Sequence, residues 1–138
     1  MKVKRAMHKG ATWISPDTPV LEIARTMKEQ DIGALPVGEN DRLIGMVTDR
    51  DIVCRGLAKG GGLSKLTARD VMTKGIAYCR EESDIEEALE LMERKKVRRL
   101  PVIDDGKRMV GILSLGDISH AANRELTFEM VKAVSAHH

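Results

Sequence analysis

Two stretches of the sequence place a hydroxyl residue three positions before an aspartate, directly after a short apolar run. They are Gly45-Met46-Val47-Thr48-Asp49-Arg50-Asp51 and Gly111-Ile112-Leu113-Ser114-Leu115-Gly116-Asp117. This spacing is typical of a capping box, in which side chains satisfy the first free N–H groups of a helix. A helix start at the end of a strand also suits an anion, because free N–H groups and the positive end of the helix dipole point outward. The motif therefore predicts either a structural cap or a phosphate site, and these residues alone leave both open.

The two stretches belong to an internal repeat. Met7-His8-Lys9-Gly10 recurs as Met72-Thr73-Lys74-Gly75, and Leu35-Pro36-Val37 recurs as Leu100-Pro101-Val102, both at an offset of 65 residues. The offset becomes 66 residues at Gly45 and Gly111, because one residue is inserted in the hairpin turn of the second copy. Residues 7–57 and 72–122 are therefore predicted to be two copies of one structural unit.

Each copy is predicted to begin with a short strand and an amphipathic helix. The strands are expected at residues 12–14 and 76–79. Apolar residues then follow the 3.6-residue period of a helix; they are Val20, Ile23, Ala24 and Met27 in the first copy, and Ile85, Ala88, Leu89 and Met92 in the second. Thr18, followed by a proline, is predicted as the N-cap of the first helix. Ser83 is predicted as the N-cap of the second, with Glu86 completing a capping box.

A hairpin, the aspartate motif and a second helix complete each copy. The hairpins are predicted at residues 34–47 and 100–113, where turns rich in Asn, Asp and Gly separate two apolar runs. One copy of about 50 residues buries too little surface to be comfortably stable alone. We therefore expect an α/β (α+β) fold in which two β-α-β-β-α repeats pack sheet to sheet about a pseudo-two-fold axis.

Three ranges are predicted along the chain. Residues 1–62 hold the first repeat and a linker that contains Gly60-Gly61-Gly62, residues 63–122 hold the second repeat, and residues 123–138 form a helical tail. Apolar residues recur in the tail at helical spacing, with no obvious surface inside the repeats to cover; they are Leu126, Met130, Val131 and Val134. A partner subunit is one candidate for that cover, so a homodimer is predicted.

Composition argues against several classes of protein. The chain has 138 residues, 32% of them charged and 42% hydrophobic, which is ordinary for one domain or two small ones. The net charge of +2 gives no electrostatic case for nucleic acid, and no apolar run approaches a membrane span. Cys54 and Cys79 are too few for a disulfide framework, so we expect a reduced, cytoplasmic protein. His8 and His120 lack the partner spacing of a zinc site, and no triad spacing is visible, so neither a metal nor an enzyme is predicted.

The tandem β-α-β-β-α units, with Leu-Pro-Val before each hairpin and Gly-x-x-(Ser/Thr)-x-x-Asp after it, resemble a pair of CBS domains, the Bateman module. The resemblance extends from residue 1 to about residue 122, and its strength lies in the set of motifs repeated in register. Residues 31–37 and 48–53 look like those of small stand-alone bacterial CBS-pair proteins, including the hypoxic response protein type. Such modules are regulatory, bind adenosyl ligands (AMP, ADP, ATP, NAD or S-adenosylmethionine) in two clefts between the motifs, and many form dimers.

The resemblance implies roles for particular residues. Asp51 and Asp117 would accept hydrogen bonds from ribose hydroxyls, and Thr48 and Ser114 would donate to phosphate. The backbone of one short segment in each copy would frame the adenine; the segments are Thr12, Trp13 and Ile14, and Ala77, Tyr78 and Cys79.

The two copies differ in their cationic residues. Arg50 lies inside the first motif and could donate to a phosphate, whereas Gly116 at the corresponding position cannot. The cleft that holds Asp51 is therefore predicted to bind more tightly than the other. Arg98 lies in a basic run, residues 94–99, which is either a solvated helix C-terminus or a source of phosphate contacts; both interpretations stay open.

These patterns lead to two hypotheses about function. The first is a regulatory CBS pair that binds an adenosyl nucleotide in the inter-repeat cleft, needs no obligatory cofactor and signals by a conformational shift to a protein partner that the sequence does not name. The alternative is a protein–protein interaction or dimerisation module without a small-molecule ligand.

Overall fold

The computed structural model describes residues 1–10, 13–121 and 124–135. In chain order the elements are α1 (Val3–Ala6), β1 (His8–Lys9), α2 (Val20–Gln30), β2 (Ala34–Glu39), β3 (Arg42–Thr48), α3 (Asp49–Asp51), α4 (Ala68–Val71), β4 (Cys79–Arg80), α5 (Ile85–Lys95), β5 (Arg99–Ile103), β6 (Met109–Ser114), α6 (Leu115–Ala121) and α7 (Arg124–Ser135). A π-helical turn at Ile52–Gly56 follows α3, and 3₁₀ turns lie at Leu57–Lys59 and Leu63–Lys65. This mixture of helices with antiparallel and parallel strand pairs confirms the predicted α+β class.

The chain divides into two compact units whose limits differ from those of the sequence repeats. We call Thr12–Ile76 the first-repeat unit, and Met1–Ala11 together with Ala77–His138 the second-repeat unit. Each unit combines the hairpin of one repeat with the N-terminal segment of the other repeat. The boundary predicted after residue 62 is therefore not where the structure divides, because residues 63–76 pack with the first repeat.

The two long helices form where the apolar period predicts them. Helix α2 buries Val20, Ile23 and Met27, while the equivalent helix α5 buries the four residues Ile85, Ala88, Leu89 and Met92. Both helices end at a residue in the left-handed conformation, Asp31 with φ of 53° and Lys96 with φ of 57°. The matching ends show that the repeat extends to the backbone conformation.

The hairpins repeat in register as well. Leu35 in β2 pairs with Val47 in β3, and Leu100 in β5 pairs with Leu113 in β6, so the prediction that both leucines lie in the same kind of element is confirmed. Each hairpin carries an irregularity at the same place, Val37/Gly38 in the first and Val102/Ile103 in the second. In each repeat, a residue from the segment before the long helix pairs in parallel with the first strand of the hairpin. These pairs are Ile14 with Val37 and Cys79 with Val102.

A glycine in each hairpin lets the N-terminal segment of the other repeat approach closely. A Cβ at Gly45 would lie 2.9 Å from the carbonyl oxygen of Thr73, and a Cβ at Gly111 would lie 2.5 Å from that of His8. Real Cβ atoms do not approach so near, so only glycine permits the pairing of Met46 with Thr73 and the strand pair β1–β6. This explains why the Met-x-Lys-Gly motif and the glycine recur together.

The helix starts differ from the prediction by one residue. Pro19 rather than Thr18 is the N-cap of α2, and Asp84 rather than Ser83 is the N-cap of α5; neither makes a side-chain cap hydrogen bond. A distant backbone carbonyl takes that place, since the N–H of Val20 donates to Leu66 (2.9 Å). The N–H of Ile85 likewise donates to Met1 at 3.0 Å. The predicted box of Ser83 with Glu86 is therefore wrong, because tertiary contacts already satisfy the first donor.

Within the predicted tail, Arg124–Ser135 form helix α7, and its apolar residues do not share one role. Met130 is only 9% exposed and belongs to the core of the second-repeat unit, so the expectation that the repeats offer this residue no cover is wrong. Val131 and Val134 are exposed. The side chain of Leu126 lies outside the described residues. Within the described ranges, no helix combines the length and apolarity needed to cross a membrane.

Candidate ligand-binding site

The first motif folds into the capping box that its spacing predicts. The backbone N–H of Thr48 donates to Oδ2 of Asp51 at 2.9 Å, and the N–H of Asp51 donates to the Thr48 hydroxyl at 3.1 Å. Strand β3 delivers Thr48 in an extended conformation, and α3 begins at the next residue. The box thus fixes the carboxylate of Asp51 at the junction of a strand and a helix.

The second motif repeats this arrangement. The N–H of Ser114 donates to Oδ2 of Asp117 at 2.9 Å, and the N–H of Asp117 donates to the Ser114 hydroxyl at 3.0 Å. Only 9% of the Asp117 side chain and 13% of the Asp51 side chain are exposed. Of the two interpretations of the motif, the structural cap is therefore confirmed in both copies, and it leaves one carboxylate oxygen outside the box each time.

That second oxygen has different neighbours in the two units. In the first-repeat unit, the hydroxyl of Thr73 donates to Oδ1 of Asp51 at 3.4 Å, and a guanidinium nitrogen of Arg55 lies 3.6 Å from the same oxygen. In the second-repeat unit, Nδ1 of His8 lies 2.9 Å from Oδ1 of Asp117, although the imidazole itself is 82% exposed. Thr73 and His8 occupy equivalent positions in the two repeats, so the same position of the repeat supplies both neighbours.

Each aspartate keeps acceptor capacity for a ligand. An ionised carboxylate has about four lone-pair sites. The capping box uses one on Asp51 and one on Asp117, and Thr73 or His8 takes a second. Two sites remain on each carboxylate, which is the number that the two hydroxyls of a vicinal diol require. Thr73 at 3.4 Å and Arg55 at 3.6 Å both lie farther from Oδ1 of Asp51 than His8, at 2.9 Å, lies from Oδ1 of Asp117, so the free oxygen of Asp51 is the less tightly held.

Two arginines predicted as phosphate contacts lie at different boxes. Arg50 follows Asp49 inside the first box, and its N–H donates to a carboxylate oxygen of Asp49 at 2.8 Å. The carbonyl of Arg98 accepts from the N–H of Leu115 at 3.0 Å, which places Arg98 beside the second box. Both arginines are exposed. Each box therefore has one cation at its helix start.

The first segment predicted to frame an adenine is only partly described. Thr12 lies outside the described residues. Trp13 is half-buried, and its ring packs against Gly38, where a Cβ would overlap it. The N–H of Ile14 donates to Pro36, and its carbonyl accepts from Gly38, both at 2.9 Å. Because the strand bridge uses both backbone groups of Ile14, a ligand can reach only the second lone pair of its carbonyl.

The second segment leads into β4. Ala77 is half-buried, Tyr78 is 42% exposed and Cys79 is buried. Burial raises the pKa of the Cys79 thiol to about 12, so the thiol stays protonated and is a poor nucleophile. A role in binding at this segment thus falls to Tyr78 and to backbone atoms.

Sequence reasoning missed three residues around the two aspartates, namely His8, Thr73 and Arg55. The signal for His8 and Thr73 was present, since both lie in the repeated Met-x-Lys-Gly motif. Arg55 had no such signal, because the corresponding residue of the second copy is Ala121.

Comparison with known proteins identifies the family. The CBS domain model matches residues 3–55 and 68–124. Hypoxic response protein 1 of Mycobacterium tuberculosis is 40% identical over 129 residues, which is 93% of this chain and 90% of that protein. The crystal structure of Hypoxic Response Protein I with two coordinated zinc ions has a TM-score of 0.82 and 40% identity. The match covers 89% of this chain and 100% of the Hypoxic Response Protein I chain.

The zinc of that structure has no evident counterpart in the part of this chain that the structure describes. Residues 1–10, 13–121 and 124–135 contain no group of three or more His, Cys, Asp or Glu side chains placed to hold a metal ion. Protein zinc sites usually need at least three such ligands. The pair of His8 and Asp117 offers two. The described residues therefore do not fit a zinc centre, and the predicted lack of a metal stays a prediction.

Two further structures carry adenosyl compounds. CBSX2 in complex with AMP has a TM-score of 0.76 and 27% identity, and it covers 87% of this chain and 94% of that one. The CBS domain pair of MJ0100 in complex with 5′-methylthioadenosine and S-adenosyl-L-methionine has a TM-score of 0.78 and 26% identity. The match covers 88% of this chain and 94% of the MJ0100 chain. Two matches to the family model, the repeated register and the relatives together show that the chain belongs to the CBS domain family, as a tandem CBS pair.

Proposed function

We propose that this CBS pair is a regulatory module that binds an adenosyl nucleotide through Asp51 and Asp117 and carries no catalytic activity of its own. The ligand class is AMP, ADP, ATP, NAD or S-adenosylmethionine, and it acts as a regulatory ligand rather than as an obligatory cofactor. The capping box and the ligand use different lone pairs, so the structural role of each aspartate is compatible with binding.

The observation that carries the proposal is the pair of partly free carboxylates. Asp51 and Asp117 are each fixed by one oxygen at a helix start and keep acceptor sites on the other. A ribose diol needs two acceptors, and the free N–H groups of a helix start suit a phosphate. Arg50 and Arg98 add one charge-assisted donor at each box.

The complexes of related proteins support the ligand class. CBSX2 is a complex with AMP, and the MJ0100 pair is a complex with 5′-methylthioadenosine and S-adenosyl-L-methionine. These compounds share an adenosyl group and differ in charge beyond it. The ribose acceptors are therefore proposed to set the class, while the cations near each box select among its members.

Signalling would follow from a shift of population. A ligand stabilises whichever state of the protein it binds better, by an amount fixed by its differential affinity for the two states. We place this action in the cytoplasm, with a regulated protein as the recipient of the signal.

Thermal unfolding with each adenosyl compound tests the proposal. A ligand that binds only the folded state raises the midpoint, by about 2.7 kcal/mol of stability at a concentration 100 times its Kd. We expect at least one of AMP, ATP, NAD and S-adenosylmethionine to raise Tm, and calorimetric titration to return a saturable isotherm. Absence of binding by all four at millimolar concentration would leave Asp51 and Asp117 as caps only.

A second candidate, an interaction module without a ligand, is favoured by one observation. Helix α7 exposes three apolar side chains at helical spacing; Phe128, Val131 and Val134 are 66%, 60% and 39% exposed. A second copy of the chain is the proposed partner, which continues the homodimer prediction. Light scattering at micromolar concentration should return twice the chain mass of 15.3 kDa, and a monomer mass would remove this candidate.

A further inference from the structure

Arg55 makes more contacts than its exposed position suggests. One guanidinium nitrogen donates to the carbonyls of Val71 and Met72, each at 3.1 Å, and to the hydroxyl of Thr73 at 3.0 Å. The same nitrogen lies 3.6 Å from Oδ1 of Asp51. Arg55 therefore links the carboxylate of the first box to the C-terminal turn of α4.

The direction of these hydrogen bonds follows from donor chemistry. A guanidinium only donates, so the Thr73 hydroxyl must accept from Arg55. Its own proton is then free to point at Asp51, to which it donates at 3.4 Å. The result is a relay in which Arg55 orients Thr73 and Thr73 orients the oxygen of Asp51 that lies outside the capping box.

A π-helical turn places Arg55 beside α4. Arg55 lies in the π-helical turn Ile52–Gly56, whereas the matching helix α6 is α-helical from Leu115 to Ala121. Single π-turns within helices occur frequently at functional sites. The residue that corresponds to Arg55 is Ala121, which has no donor. The relay is thus a feature of the first-repeat unit and not of the CBS repeat as such.

We propose that Arg55 is a positioning residue that couples the carboxylate of Asp51 to the order of the segment Ala68–Thr73. That segment leads into the second repeat, which begins at residue 72, so a change at Asp51 is passed to the chain that joins the repeats. The inference rests on the proposed function for its ligand, since nucleotide binding at Asp51 would tighten the segment. The coupling itself exists without ligand and can be measured without it.

Hydrogen exchange of two amides reports the order of the segment. The N–H of Met72 donates to Ala68, and that of Thr73 donates to Met46, both at 2.8 Å. We expect Arg55→Ala to speed exchange of these amides about tenfold, as for the loss of one hydrogen bond to a charged group. Asp51→Asn, which keeps the cap but loses the charge, should speed exchange in the presence of Arg55 and have no further effect in Arg55→Ala.

Three variants keep the test decisive. Arg25→Ala removes the same charge from an exposed position of α2 and should leave both amides unchanged. Arg55→Lys keeps the charge and some donors, so it should recover part of the protection even where Arg55→Ala is too unstable to study. Thr73→Val removes the relay hydroxyl and should make exchange insensitive to Asp51→Asn. Additive effects of Asp51→Asn and Arg55→Ala would overturn the coupling.

The ligand arm separates this inference from the proposed function. With AMP at saturation, the Met72 and Thr73 amides of the wild type should exchange more slowly, and Arg55→Ala should weaken AMP affinity about tenfold. A wild type that binds no adenosyl compound refutes the proposed function. The ligand-free comparison of Asp51→Asn, Arg55→Ala and the double variant still decides whether the coupling exists. A wild type that binds AMP with unchanged exchange at both amides refutes the coupling alone.

Discussion

The boxes of Asp51 and Asp117 are almost identical inside and different outside. Within each box, the hydrogen bonds agree to about 0.1 Å, since they measure 2.9 and 3.1 Å at Thr48/Asp51 and 2.9 and 3.0 Å at Ser114/Asp117. Outside the box, Asp51 meets Thr73 and Arg55, whereas Asp117 meets an exposed imidazole.

The difference separates two sources of structure. Residues three apart in sequence fix the box, so the local pattern repeats faithfully. The neighbour of the free oxygen comes from a segment that joins the unit through tertiary packing, and there the copies have diverged to Thr73 and His8. Ligand affinity is therefore expected to differ between two sites that are built on the same cap.

Removal of the first aspartate is expected to have the largest effect. Asp51→Ala should weaken binding of an adenosyl nucleotide by about 1.5–3 kcal/mol, the usual range for a hydrogen bond to a charged group. Asp117→Ala should weaken it less, because His8 lies 2.9 Å from the free oxygen of Asp117, closer than Thr73 or Arg55 lies to that of Asp51. Calorimetric titration with AMP and ATP measures both. Asp51→Asn is the control, since it caps nearly as well but lacks the charge; a larger loss at Asp117 would reverse the predicted order.

The two glycines test how tightly each segment is docked. Gly111→Ala should destabilise the protein by about 1–3 kcal/mol, because the new Cβ would overlap a backbone oxygen of His8. Gly45→Ala should cost less, since its Cβ would stop 2.9 Å from the Thr73 carbonyl oxygen, against 2.5 Å at His8, and its nearest contact, at 2.8 Å, is the flexible Met72 side chain. Urea unfolding gives both values. Gly61→Ala, which meets no atom within 4 Å, is the control, and equal losses at the three glycines would contradict the close approach.

The capping hydroxyls should contribute equally, in contrast to the aspartates. Thr48→Ala and Ser114→Ala are each expected to lower the free energy of unfolding by about 0.5–2 kcal/mol, the usual cost of a lost N-cap. Thr48→Ser keeps the hydroxyl and should restore most of the loss. Chemical denaturation measures all three. Clearly unequal losses for Thr48→Ala and Ser114→Ala would show that surroundings outside the box also set its stability.

Local patterns predicted most of the fold. The stripe on α5, both hairpins and both capping boxes follow from residues close in sequence, and the structure confirms them. The starts of α2 and α5 were displaced by one residue because distant carbonyls of Leu66 and Met1 satisfy their first donors. No local pattern reveals a partner so far along the chain.

The same limit applies to the candidate site. Thr48, Asp51, Ser114 and Asp117 could be identified from spacing alone. Arg55 could not, because its role depends on a π-helical turn and on α4 packing beside it. The exchange of segments between repeats was also hidden, since the repeat suggests that each copy folds with its own N-terminal segment.

The smallest expected effect concerns how the second-repeat unit holds α1. Lys2 and Lys4 both donate to Glu82 at 2.8 Å, whereas α4 in the first-repeat unit is held by Arg55 and by a surface pair of Arg69 with Glu39 at 3.1 Å. The hydrogen bonds from Lys2 and Lys4 lower the pKa of Glu82 from 4.5 to about 2. The hydrogen bond to Glu82 also raises the pKa of Lys2 above 10.5.

The sign of the pH dependence follows from these shifts. A carboxylate with a lower pKa in the folded state stabilises the fold above its unfolded value, and the contribution of Glu82 is lost as pH falls from about 4.5 to about 2. The contribution of Lys2 is present below pH 10.5 and is lost as pH rises above that value. Glu82→Gln should therefore lower stability slightly between these limits and hardly at all near pH 2. Exposed pairs are screened, so the effect should also shrink in high salt.

Urea unfolding of the wild type and Glu82→Gln over this pH range measures the difference directly. Glu90→Gln on α5 makes the same charge change at an exposed position without an ion pair among the described residues, so it controls for net charge. If the stability difference between the wild type and Glu82→Gln grows as the solution is acidified, the predicted direction of the pH dependence is wrong. A difference matched by Glu90→Gln would mean that α1 is held by burial of Val3 and by the backbone hydrogen bonds of Val3 to Ser83 and of Lys4 to Glu81, without help from the ion pairs of Glu82.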